Sequence, residues 1–198
     1  EMELTRGSTY YVIVDNAEDE ISAEYLIRID VQDASGGENS TCDTKIIYCS
    51  TSGNDVNDGS STSPVKTLTQ ALNMASGGTS SNPAIIRMAS GTYSINAPVN
   101  LINNVIIDGQ WTANTSTGIW TKGTSLTTIN RTSSNPEGGT TMPRITAIEG
   151  SSVSNFKLQD IKVTTANAPA NSSSTGYFGV STYAVHLNGC SGYEFVRC

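Results

Sequence analysis

Six ionisable side chains could do chemistry if the fold gathers them: Asp108, Glu149, Asp160, Arg131, Arg144 and Lys157. Two carboxylates set across a glycosidic bond divide acid and base work, one protonating the leaving oxygen and the other activating water or attacking. The linear spacing of the six brings no two together, and no local catalytic motif surrounds them. Structural or solvated roles are therefore the expectation, and no catalytic residue is assigned. His186, the single histidine, stands between Val185 and Leu187 and is expected to face outward into solvent.

A second set could bind rather than react. Trp111, Trp120, Tyr177, Phe178 and Tyr183 sit in or beside two long polar insertions, where aromatic faces can stack on sugar rings or simply pack a loop down. Asp55 and Asp58 lie with Asn54 and Asn57 in a Gly-containing loop, Ser50 to Ser63, that offers hard oxygen ligands to Ca²⁺. The spacing is not that of an EF-hand, and the same residue types make turns by bonding nearby backbone N–H groups. No cofactor is expected beyond that candidate Ca²⁺. Cys42, Cys49, Cys190 and Cys198 lack Cys-x-x-Cys spacing and are read as structural, buried or paired, with disulfides or inter-subunit links as candidates. Asn39, Asn114, Asn130 and Asn171 open N-glycosylation acceptor patterns, which matter only in a eukaryotic source.

Composition narrows the partners. Only 15% of the 198 residues are charged, and the formal net charge is -7. The sequence pI is near 4.6 and the mean hydropathy -0.23. Eleven scattered basic residues do not make a phosphate-binding surface, so no nucleic-acid partner is expected. No apolar run approaches the roughly eighteen residues of a membrane span. Abundant Ser, Thr, Asn and Gly beside Val and Ile favour strands and turns.

The elements follow from periodicity. Residues 1–32 read as a hairpin, with Tyr25, Ile27, Ile29 and Val31 alternating after an acidic turn. Residues 33–43, with Gly36-Gly37, read as a linker. Pro64 to Ala75 is the one persuasive helix: Thr62 or Ser63 as N-cap, Pro64 in the first turn, and Leu68, Ala71, Leu72 and Ala75 on one face. Beyond Lys45 to Cys49, strands are expected at Ala84 to Ala89, Val99 to Ile102, Asn104 to Asp108, Thr127 to Asn130, Arg144 to Glu149, Phe156 to Thr164, Ala184 to Leu187 and Tyr193 to Cys198. Insertions Trp111 to Ser125 and Thr165 to Thr182 interrupt them. An internal echo aligns Ile148-Glu149-Gly150 with Leu187-Asn188-Gly189 at a shift of 39, and Leu158-Gln159-Asp160 with Val196-Arg197-Cys198 at a shift of 38. Stacked strands would then line up Ile85, Met88, Val105, Ile107, Ile129, Ile148, Phe156, Ile161, Val163, Leu187 and Phe195 inward, with Asn103 and Asn104 bonding to counterparts above and below.

The order of a polar Gly/Asp loop, one short helix and recurring strands with Gly and Asn at the corners, from Tyr48-Cys49 to Asp108-Gly109, resembles the start of a right-handed parallel β-helix of the pectate-lyase-like superfamily. Gly7 to Asp15 followed by Tyr25 to Ile29 resembles the last two strands of a pre-peptidase C-terminal type β-sandwich, a module of secreted proteins. The resemblance implies an all-β chain: 1–32 the end of a sandwich, 33–43 a linker, and 44–198 the helix-capped first coils of a solenoid. Glu1 opens directly into a strand-like run and Cys198 stops within another, so both ends read as cut and a mature segment of a longer protein is expected. Enzymes of that superfamily use Arg or Lys as base with Ca²⁺ held by acids, or paired carboxylates, and none of their motifs stands here. The expected function is a non-catalytic extracellular or cell-surface segment, a stalk, filament or adhesin component that presents loops to a polysaccharide or surface protein, with self-association a further candidate. The alternative is the N-terminal part of a secreted polysaccharide lyase or glycoside hydrolase.

Overall fold

The computed structural model describes residues 44–138, 143–169 and 179–198, all within the unit Thr41–Cys198. The hairpin and linker expected over 1–43 lie outside the described residues.

Twelve strands and one helix occur among the described residues. β1 (Ile46–Cys49) is followed by α1 (Leu68–Ala75), then β2 (Ala84–Ala89), β3 (Gly91–Ile95) and β4 (Val99–Asn100). The next group is β5 (Val105–Asn114), β6 (Ile119–Lys122), β7 (Thr127–Arg131) and β8 (Arg144–Ser151). The last is β9 (Phe156–Gln159), β10 (Ile161–Thr165), β11 (Ser181–Asn188) and β12 (Glu194–Val196). The fold is all-β with parallel sheets. The first sheet runs β1-β2-β5-β9-β12, the second β3-β7-β10, and the third β4-β8-β11. From β2 onward the chain visits the three sheets in turn and returns to the first one strand further along. Only β6 breaks the rule, folding back antiparallel onto the long end of β5.

Register creates the core. Ile47, Ile86, Ile107, Leu158 and Phe195 occupy one column of the first sheet. Tyr93, Ile129 and Val163 form a column of the second sheet, and Val99, Ile148 and Val185 one of the third. Each column removes apolar surface from water by stacking like on like. Ile86, not Ile85, is the inward residue of β2: two adjacent isoleucines leave the parity open, and pairing with Ile47 and Ile107 decides it. Phe195 holds the inward column position but is 44% exposed, because β12 is the last strand of its sheet. Leu187 and Val163 are half-buried.

The helix is shorter than expected. Thr67 is its N-cap, extended at φ -107° and ψ 146°, with Oγ1 accepting from Gln70 N. Pro64 and Val65 instead run beside β1: Ser50 N donates to Val65 O, Val65 N donates to Tyr48 O, and Val65 is buried. Leu68, Ala71, Leu72 and Ala75 form the buried face, as the spacing requires.

Corners are built from residues with positive φ. Asn104 (56°), Asn155 (55°) and Gly192 (60°) stack at one corner, where Asn155 Nδ2 donates to Asn104 Oδ1 and Asn104 Nδ2 donates to Gly78 O. Asn tolerates this left-handed region better than other side chains. Gln110 (61°), Asp160 (56°) and Arg197 (50°) form a second corner. That corner divides the single strand expected over Phe156 to Thr164 into β9 and β10. The echo is also corrected: Ile148 pairs with Val185 and Leu158 with Phe195, the 37-residue separation that also joins Asp160 to Arg197. The expected alignment was two residues long in its first block and one in its second.

Candidate functional site

Among the described residues, two places gather three or more ionisable groups. The first lies where the β5–β6 hairpin folds over the first sheet. The segment read as a projecting insertion, Trp111 to Ser125, is mostly this hairpin, pairing Trp111 with Lys122 and Ala113 with Trp120. Trp120 is 8% exposed, packs against Tyr48 with the rings tilted and their centroids 4.8 Å apart, and donates from Nε1 to Ser61 O at 2.9 Å. Trp111 covers the Arg87 guanidinium at 4.4 Å and donates from Nε1 to Asp108 Oδ2. Trp120 is thus no open sugar platform: its ring pins the hairpin down.

Beneath that hairpin, stacking brings Asp108 and Asp160 to one cation. Lys122 Nζ bonds Asp108 Oδ1, Asp160 Oδ2 at 2.9 Å and Gly109 O. Gln159 Nε2 donates to Asp108 Oδ1 at 3.1 Å from the register position beside it. Asp160, 3% exposed, also receives the Arg197 guanidinium through Nε at 2.5 Å and Nη2 at 2.8 Å. The Arg197 hydrogen bonds, reinforced by Lys122, hold the Asp160 carboxyl well below the usual carboxylate range. A carboxylate so held cannot carry a proton to a leaving group near neutrality. Sequence reading named both acids but missed Lys122 and Arg197. Neither is near them in the linear pattern, since Lys122 arrives by hairpin return and Arg197 by stacking.

The second place is a cavity of about 600 Å³ on the third sheet, lined by Pro143, Arg144, Glu149, Ser151, Gly179, Ser181, Tyr183, His186, Leu187 and Asn188. β8 and β11 set Glu149 beside His186 in register. Arg144 Nη2 donates to Glu149 Oε1 at 2.7 Å, and His186 Nδ1 lies 3.8 Å from the same oxygen. The Tyr183 and His186 rings meet edge to face at 5.1 Å. Tyr183 is 39% exposed. Glu149, Arg144, Tyr183 and His186 were all singled out in the sequence, but nothing in their spacing joins them. Ser181 and Asn188 carry no sequence signal of their own.

The remaining candidates have separate places. Arg131 is buried and closes the following loop, donating to Ser133 O, Asn135 O and Glu137 Oε2. Lys157 pairs with Glu194 at 3.2 Å across β9 and β12. Asp55 accepts from Lys66 N, Thr67 N and Thr67 Oγ1, fixing the entry to the helix. Asp58 Oδ1 accepts from Ser60 N, which draws its carboxyl below its ordinary value. Among the described residues no group of three or more His, Cys, Asp or Glu could hold a metal ion. Cys49, Cys190 and Cys198 are free thiols, so they form no disulfide with one another. Cys49 is walled into the core, where burial pushes its thiol up to about 12. Asn114 is exposed at the end of β5, whereas Asn130 Oδ1 accepts from Thr164 Oγ1 within the second sheet. Tyr177, Phe178, Cys42, Asn39 and Asn171 lie outside the described residues. No helix among the described residues is long and apolar enough to cross a membrane.

A family model described as a protein of unknown function, DUF1565, matches residues 51–177. The chain belongs to this family. DUF1565 is associated with parallel β-helix proteins, in agreement with the parallel sheets. No curated protein and no solved structure matches the chain. The DUF1565 match takes in the helix, the hairpin and both carboxylates of the Lys122 cluster, together with Arg144 and Glu149. Arg197, Tyr183 and His186 fall beyond it. The cavity and the ionic cluster are therefore each completed by residues that follow the DUF1565 segment.

Proposed function

We propose that this chain is the helix-capped start of a right-handed parallel β-helix of the pectate-lyase-like kind, and that it works as a non-catalytic extracellular or cell-surface scaffold presenting its outer surface to a glycan or protein partner. Three parallel sheets visited in rotation support the fold reading, and right-handedness follows the general preference of parallel crossovers. One observation carries the functional reading. The only two carboxylates that stacking brings to a shared cation among the described residues, Asp108 and Asp160, are both bonded by Lys122, with Arg197 and Gln159 filling further lone pairs. Paired acids in a glycosidase divide into a proton donor and a base with space between them for a sugar bond. Here a lysine occupies that space, and the pair acts as a clasp between hairpin and stack.

Polysaccharide turnover tests this. The chain is expected to release no reducing ends and no unsaturated uronate products from pectin, alginate or xylan. Release that disappears in Asp160→Asn would overturn the scaffold reading and favour the lyase or hydrolase alternative.

A further inference from the structure

We propose that the cavity on the third sheet, lined from β8 and β11, is a binding site for an uncharged, hydroxyl-rich sugar unit, with Tyr183 as the stacking platform and Glu149 as the acceptor of its hydroxyl hydrogens. This rests on the scaffold reading and deepens it by fixing the site and the class of glycan. Its volume of about 600 Å³ lies within the span usual for small-ligand sites, roughly 300–1,000 Å³.

The chemistry of the lining selects the ligand. Tyr183 is 39% exposed and its ring meets the His186 ring edge to face at 5.1 Å, so it is held at the lining with aromatic surface still open to a ligand. The C–H face of a pyranose ring matches that surface. Glu149 is an acceptor-only carboxylate, oriented by Arg144 through a single oxygen at 2.7 Å. Its other oxygen remains for a ligand, and adjacent ring hydroxyls are donors that can reach one carboxylate together. Asn188 adds an amide that both donates and accepts, and Ser181 a hydroxyl; both are exposed at the lining.

Charge separates neutral sugars from acidic ones. The formal charges of Arg144 and Glu149 cancel within one ion pair, so the lining keeps no fixed cation in surplus. His186 adds a positive charge only when protonated. A uronate or sulfated sugar would bring its anion beside the Glu149 carboxylate in a chain of net charge -7 and would have to share Arg144 with it. An uncharged ring disturbs neither.

The test uses the full chain with three probes, cellotetraose, mannotetraose and trigalacturonate, in titration calorimetry at neutral pH. Saturable binding of at least one neutral tetrasaccharide is expected, weakened about tenfold or more in Tyr183→Ala and in Glu149→Gln, with trigalacturonate weaker by a similar factor. Lys157→Ala, in the partly exposed pair on the first sheet, should bind as the unchanged protein does. Circular dichroism checks that each variant folds, and should Glu149→Gln fail, Tyr183→Ala, whose side chain is largely outside the core, decides. Neutral binding that both variants retain would overturn the cavity as the site while leaving the scaffold reading intact. Preferential binding of trigalacturonate would overturn the uncharged class alone. No heat with any of the three probes would overturn this inference and, with it, the glycan arm of the scaffold reading.

Discussion

At the scale of single residues, Asp160 is the most informative position. Its carboxylate, almost wholly buried, is held by Arg197 and Lys122, so it is stabilised in the ionised form. Because the folded pKa is depressed below 3.8, its contribution is fully present above that value and is lost as the pH falls through the folded pKa. Asp160→Asn is expected to lower unfolding stability by about 1.5–3 kcal/mol at neutral pH, the span for hydrogen bonds to charged groups, since Arg197 can return to water. Denaturant titrations from about pH 6 to pH 2 should show the variant and the unchanged protein converging in acid. Cysteine accessibility gives a second test. A native-state thiol reagent should label Cys198 and Cys190 well before Cys49, whose thiol is buried and pushed up to about 12. Labelling of Cys49 at the same rate, read by peptide mass mapping, would mean that the first strand is not packed as described.

At the scale of elements, the corners deserve the closest test because they set where strands stop. Asn104 and Asn155 adopt a left-handed conformation and bond to one another. Asn104→Ala keeps a β-carbon in that conformation without the amide that tolerates it, and removes two side-chain bonds, to Gly78 O and from Asn155 Nδ2. A loss of about 1–3 kcal/mol is expected, whereas Asn104→Gly should recover the backbone part of it. Equal losses for Ala and Gly would show that only the ladder bonds matter. The sequence made this corner legible, since paired asparagines before an apolar run have a recognisable use. It did not reveal the second corner at Asp160, because Ile161 to Thr165 continues the β-branched pattern of a strand, nor at Arg197, which follows Phe195 and Val196 without a turn residue. β3 escaped notice for the opposite reason: in Gly91–Ile95 only Tyr93 is buried, so a single residue carries the core signal. The helix face was readable from its spacing, yet its start was not, because Val65 gains more by pairing with β1 than by opening the helix.

At the scale of the whole molecule, three parallel sheets share one core made of columns, and each chemical cluster is assembled by stacking rather than by local sequence. That is why single acids were visible in the sequence and their partners were not. Lys122 reaches Asp160 only after the hairpin folds back, and Arg197 reaches it only one strand further along the stack. The two paired carboxylates act either as a clasp between hairpin and stack or as a proton-transferring pair. The most direct measurement is a carboxyl ¹³C NMR titration of the aspartates in the intact chain, with Asp160→Asn used to assign the signal. Asp160 is expected to remain ionised down past the ordinary carboxylate range, with no proton taken up near neutrality. A carboxyl at this pair that gains its proton above about pH 5 would be a general acid in waiting, and would contradict the scaffold reading.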